Sequence, residues 1–99
     1  MVTASSVDEA AKIGRAVVSK RLAACANIIH PIRSIYRWKG RIEDEKEVLM
    51  FIKTKKVLFE RLQECVKELH SYSVPEVIAL PILEASPSYL AWLEEETSD

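Results

Sequence analysis

Residues 32–54 read IRSIYRWKGRIEDEKEVLMFIKT, and this stretch decides how the rest of the chain is understood. Before Lys39-Gly40 the residues alternate. Ile32, Ser34, Tyr36 and Trp38 fall on one face and Arg33, Ile35, Arg37 and Lys39 on the other, the period of a strand. After the glycine, Arg41 to Lys46 is charged apart from Ile42, and Val48-Leu49-Met50-Phe51-Ile52 is a continuous apolar run that needs cover on both faces. The stretch predicts a long hairpin with a two-residue turn at Lys39-Gly40. Strands of about five or six residues are usual, so arms this long project past a small domain and leave Tyr36 and Trp38 uncovered. An exposed aromatic strand invites pairing, and the sequence predicts that partner subunits supply the cover.

The 99 residues are 48% hydrophobic and 29% charged, which predicts one domain over residues 1–99 that gains from assembly. With 14 Lys+Arg against 15 Asp+Glu the net charge is -1, so there is no basic field to gather nucleic acid or an anionic membrane. No apolar run approaches the roughly 18 residues of a membrane span, and MVTASSVDEA has neither a basic nor an apolar targeting region. Cys25 and Cys65 stand apart without a C-x-x-C pair, and read as buried free thiols suited to a reducing cytoplasm.

Outward from the hairpin, Val2-Thr3-Ala4 reads as a short strand and Ser6 to Glu9 as a capping box that starts a helix at Val7. Ala10, Ile13, Val17 and Leu22 form its apolar stripe, with an end expected near Ala23. Residues 26–29 turn extended, and Pro31 marks a bend or an edge position. Thr54 is the expected cap of a second helix carrying Leu58, Leu62, Cys65, Val66 and Leu69 and ending near His70. Residues 77–82, between Pro75 and Pro81, predict a further strand. Ser86-Pro87 opens a last helix in which Tyr89, Leu90 and Leu93 can face inward, and whose Glu94-Glu95-Glu96 end opposes the helix dipole and is expected to fray. The order is that of an α+β, ferredoxin-like βαββαβ fold with an added C-terminal helix, both long helices lying on one face of a four-stranded sheet.

Arg21-Leu-Ala-Ala-Cys25 with Asn27, Ile35-Tyr-Arg-Trp-Lys-Gly40, Ile52-Lys-Thr54, Val74-Pro-Glu-Val-Ile-Ala-Leu-Pro81 and Tyr89-Leu-Ala-Trp-Leu93 stand in order and register across almost the whole chain. Together they resemble the CutA divalent-cation-tolerance proteins. The resemblance implies a tight homotrimer whose long hairpins pair across subunits, with an architecture similar to the PII signalling trimers. It also implies a link to metal-ion response. Val2-Thr3-Ala4 is shorter than the first strand that the family carries.

The copper ligands proposed for a bacterial relative are a Cys in the first strand and two His residues before the tyrosine that matches Tyr72. Here those positions hold Val2, Leu69 and His70, so only His70 can donate, with Glu76 as a further candidate ligand; one imidazole and one carboxylate make a poor copper site. His70 also has a structural reading as a cap of the second helix, and Cys25, among alanines, reads as core. Tyr36, Trp38, Lys53, Tyr72, Glu76 and Trp92 mix aromatic and polar groups as ligand clefts do, although Tyr36 and Trp38 would equally serve an interface. Lys53 and Glu76 are candidates to pair with each other. The chain holds no phosphate loop, no H-E-x-x-H and no nucleophile with its base, and its glycines are Gly14 and Gly40 alone. The reading is a non-enzymatic trimer of the CutA type that requires no cofactor and has inter-subunit clefts for copper, another metal ion or a small ligand; the alternative is a PII-like signalling or protein-interaction module without a metal role.

Overall fold

The computed structural model describes residues 1–97. Strand β1 (Val2–Ala4) is followed by helix α1 (Val7–Ser19), strands β2 (Cys25–Trp38) and β3 (Arg41–Lys53), helix α2 (Phe59–Leu69) and helix α3 (Pro87–Glu96). The three strands form an antiparallel sheet in the order β1-β3-β2. Strands β2 and β3, of 14 and 13 residues, make the long hairpin. Its two-residue turn closes a direct Trp38–Arg41 pair, and Lys39 and Gly40 both have positive φ, 50° and 78°, as a hairpin turn of the I′ kind requires.

Register assigns the faces. Val48 and Met50 pair with Ala4, Val2 and Ile28 and are fully buried. They meet Ile13 and Val17 of α1 and Leu62 and Val66 of α2 in one core, so both helices cover the same side of the sheet. Gly14 brings α1 close: a Cβ there would lie 3.2 Å from Ala26 Cβ and 3.7 Å from Met50 Sδ. The other side presents Thr3, Leu49, Phe51 and Ile29, and neither α1 nor α2 covers it; Ile29 and Phe51 are exposed. Between Ile29 and Ile32 the register slips by one residue, a bulge around the cis His30–Pro31 bond on the edge strand β2. Beyond this bulge Ile32, Ser34, Tyr36 and Trp38 join the helix-free side.

The capping box forms as expected at its first half: Ser6 Oγ accepts from the Glu9 amide at 3.1 Å. Glu9 reaches back to Ser5 rather than Ser6, accepting from its amide and hydroxyl, each at 3.0 Å. Helix α1 stops at Ser19, short of Ala23, because Arg21 takes a left-handed φ of 59° and the Leu22 and Ala23 amides fold back onto the Val17 carbonyl. Thr54 does not cap α2. Its hydroxyl donates to the Leu22 carbonyl at 2.6 Å, and α2 is entered through a 3-10 turn at Lys56–Leu58.

The expected fourth strand is also absent. Residues 77–82 make one isolated bridge, Val77 with Val2, and the Ile78 amide donates to the Met1 carbonyl at 3.0 Å. The short β1 offers nothing further to pair with, and Pro81 lacks an amide hydrogen. Ile78, Leu80, Ile82 and Leu83 are left exposed, Leu83 by 88%. At α3, Ser86 accepts from the Tyr89 amide at 3.4 Å. Only Leu93 of its three expected inward residues is buried. The acidic end is helical through Glu96, and Arg21 donates to the Glu95 carbonyl at 2.5 Å.

Candidate functional site

Four of the six cleft candidates come together on the helix-free side of the hairpin. A cleft of about 550 Å³ lies between Tyr36 and Trp38 of β2 and the loop after α2, which contributes Tyr72 and Glu76. That volume falls within the range of small-molecule sites. Lys53 and Trp92 are elsewhere. Lys53 Nζ lies 5.7 Å from the Tyr89 ring centroid, and Tyr89 stacks obliquely on Trp92 at 5.4 Å, a second aromatic group at the start of α3. The expected Lys53–Glu76 pair does not form: Glu76 instead acts electrostatically on the Met1 amino group, whose pKa burial nevertheless pushes down.

The floor of the cleft is Glu47, which the sequence alone did not single out. It is 7% exposed, and its Oε2 accepts from the Tyr72 hydroxyl at 2.7 Å. Register places Glu47, Glu45 and Glu43 opposite Ile32, Ser34 and Tyr36, so the face that reads as aromatic along β2 is acidic along β3. Tyr36 donates to Glu45. That bond, with lesser help from nearby carboxylates, pushes the Tyr36 phenol up to about 12. Burial and the bond to Glu47 push the Tyr72 phenol higher still. The signal available in the sequence was the position of Glu47, the last charge before Val48, where the wet half of β3 meets the core.

The loop is fixed from below. His70 Nε2 lies 2.7 Å from the Thr3 carbonyl and the Tyr72 amide donates to Nδ1 at 3.1 Å, so the proton sits on Nε2 and both nitrogens are engaged. The His70 and Tyr72 rings are 4.7 Å apart. Glu9 holds the same loop by accepting from the Ser71 amide at 2.8 Å. Burial alone would raise the Glu9 carboxyl, but the bonds from Ser71 and Ser5 bring it down to about 2. His70 is therefore a bracket for the cleft. Among the described residues no three His, Cys, Asp or Glu side chains converge to hold a metal ion within one chain. Cys65 is buried, whereas Cys25, expected in the core, is half-buried with its thiol toward Asn27 Oδ1 at 3.4 Å.

The CutA1 divalent ion tolerance protein family pattern matches residues 1–96. The chain belongs to the CutA1 family. It is 46% identical over 97 residues to the divalent-cation tolerance protein CutA of Thermus thermophilus, covering 98% of this chain and 94% of that one. The solved structure of a Thermus thermophilus divalent cation tolerance protein superposes with a TM-score of 0.95 over 98% of this chain and 94% of that one, at 46% identity. The CutA1 structure from Oryza sativa gives 0.96 at 41% identity, covering 99% and 90%. Protein CutA of Mus musculus is 52% identical over 97% of this chain, which spans about half the length of that relative. The CutA1 relatives are named for cation tolerance and not for an enzymatic reaction. No helix among the described residues is long and apolar enough to cross a membrane.

Proposed function

We propose that this CutA1 chain works as a non-enzymatic homotrimer in divalent-cation tolerance, and that its ligand sits in clefts at the subunit boundaries. One observation carries the reading: the helix-free side of the sheet leaves Ile29, Tyr36, Trp38 and Phe51 exposed, while residues 79–83, beyond the Val77 bridge and the Ile78–Met1 bonds, belong to no strand and leave Leu80, Ile82 and Leu83 exposed. Unpaired backbone beside an apolar sheet face is the arrangement that a second copy completes. A copy docked there would wall the cleft between Tyr36, Trp38 and Tyr72 from the open side. The free thiols Cys25 and Cys65 suit a reducing cytoplasm.

Copper is the weaker part of this reading. His70 would have to leave the Thr3 carbonyl or the Tyr72 amide to coordinate, and Glu76 alone makes too small a donor set. A strong site would need donors from more than one copy. Calorimetric titration of metal-free protein with copper and with nucleotides, run beside light scattering, tests the proposal. A monomer at micromolar concentration overturns the assembly. Nucleotide binding without copper binding favours the PII-like signalling alternative.

A further inference from the structure

The cleft contains a buried negative charge without a buried positive one. Glu47 is 93% removed from solvent by its 7% exposure, yet its partner is a neutral phenol and no basic group pairs with it among the described residues. A carboxylate is rarely buried so deeply without a counter-charge. Glu76 adds a second carboxylate to the lining, and no Lys, Arg or His is part of that lining. Around these carboxylates stand the rings of Tyr36, Trp38 and Tyr72, whose π-faces attract cations. Trp38 already shows this: the Lys39 ammonium lies 5.8 Å from its ring centroid, at the turn next to the cleft.

Within one chain the charge requirement selects a cation, and the walls select its kind. A bare divalent metal needs several oxygen, nitrogen or sulfur donors in a tight shell, and such a convergence is missing from the described residues of one chain. Aromatic rings alternating with carboxylates suit a cation that carries its own carbon groups. We propose that the cleft receives a small organic ammonium ion, with Glu47 and Glu76 facing its charge and Tyr36, Trp38 and Tyr72 facing its alkyl substituents. This rests on the reading of the cleft as the ligand site.

The test uses the full chain in its natural assembly, with Trp92→Phe so that Trp38 alone reports by fluorescence. The probes are tetramethylammonium chloride, its neutral counterpart tert-butanol, and sodium chloride at matched ionic strength. Tetramethylammonium should change Trp38 emission saturably and the other two should not. Glu47→Gln, which keeps an acceptor for Tyr72, should weaken the response by about tenfold with molecular mass unchanged, as should Glu76→Gln, whose more exposed side chain leaves melting unchanged as well. Equal responses to tetramethylammonium and tert-butanol would overturn the ammonium assignment and leave a merely apolar cleft. Silence toward tetramethylammonium, with copper or nucleotide binding that Glu76→Gln abolishes, would overturn the ligand class and keep the site. Silence toward every probe would overturn both.

Discussion

The Tyr72 hydroxyl donates to Glu47 Oε2 at 2.7 Å, tying the loop after α2 to the middle of β3 across 25 positions of sequence. The bond satisfies a buried carboxylate and shapes the cleft with the same contact. Removing the donor strands the acceptor, a loss of about 1–3 kcal/mol. Tyr72→Phe should therefore lower stability by that amount in urea unfolding, and the loss should shrink when Glu47→Gln is already present. An additive pair would show that the two residues act independently.

The Tyr72 phenol is raised in the folded chain by burial and by Glu47. A raised folded value means that the contribution is complete below the unfolded tyrosine value of about 10 and is lost as pH climbs through the higher folded value. Stability should fall on the alkaline side above about pH 10, and Tyr72→Phe should flatten that limb. Spectrophotometric titration of the phenols, compared with the variant, checks the assignment.

Glu9 works in the opposite sense. Its carboxyl is held at about 2 against an ordinary 4.5, so its contribution is present above the unfolded value and disappears as pH drops through the folded one. Thermal melting between pH 4.5 and about 2 should show a steep loss of stability in the parent and a shallower one in Glu9→Gln. Identical slopes would mean that the Ser5 and Ser71 bonds do not control acid stability.

Gly14 allows α1 to sit against Ala26 of β2, where an added Cβ would come within 3.2 Å of a neighbour fixed to the strand backbone. Alanine is worth up to about 1 kcal/mol over glycine inside a helix, but overpacking typically costs about 1–3 kcal/mol. Gly14→Ala should be destabilising on balance. Adding Ala26→Gly should recover most of the loss by removing the opposing methyl group.

Trp38 is exposed on a single chain and is expected to become an anchor in the proposed trimer. Trp38→Ala should weaken association by about 2–4 kcal/mol, the range of interface hot spots. Sedimentation over a dilution series would register this as a shift of the trimer, about three times 11.2 kDa, toward smaller species. An unchanged trimer would place Trp38 at the rim.

The parts of this fold that local chemistry dictates were legible in the sequence. Period-two alternation and Lys39-Gly40 gave the hairpin and its turn, Ser6 and Glu9 gave the start of α1, and Ser86-Pro87 gave the start of α3. What depends on a distant partner was not. Thr54 has the chemistry of a helix cap, yet the Leu22 carbonyl claims its hydroxyl. Residues 77–82 have a strand composition, but a strand needs an adjacent backbone, and the pairing stops after Val77 and Ile78 meet Val2 and Met1. Within the site, Tyr36, Trp38, Tyr72 and Glu76 were recognisable as a group, whereas Glu47 became visible only when cross-strand register set it opposite Ile32.

The one-residue slip between Ile29 and Ile32 sets the phase of everything after it. In a strand without the slip, the even-numbered residues that follow Ala26 and Ile28 would continue on the helix side, carrying Tyr36 and Trp38 with them, and Arg33, Ile35 and Arg37 would turn to the cleft. The bulge lets one strand carry two patterns in opposite phase: an inner half written for the helices and an outer half written for the other side of the sheet. Deleting one residue there would make the alternation continuous and keep Tyr36 and Trp38 on the cleft side, so a strand that kept its full length but lost the slip is what would exchange an aromatic wall for a basic one.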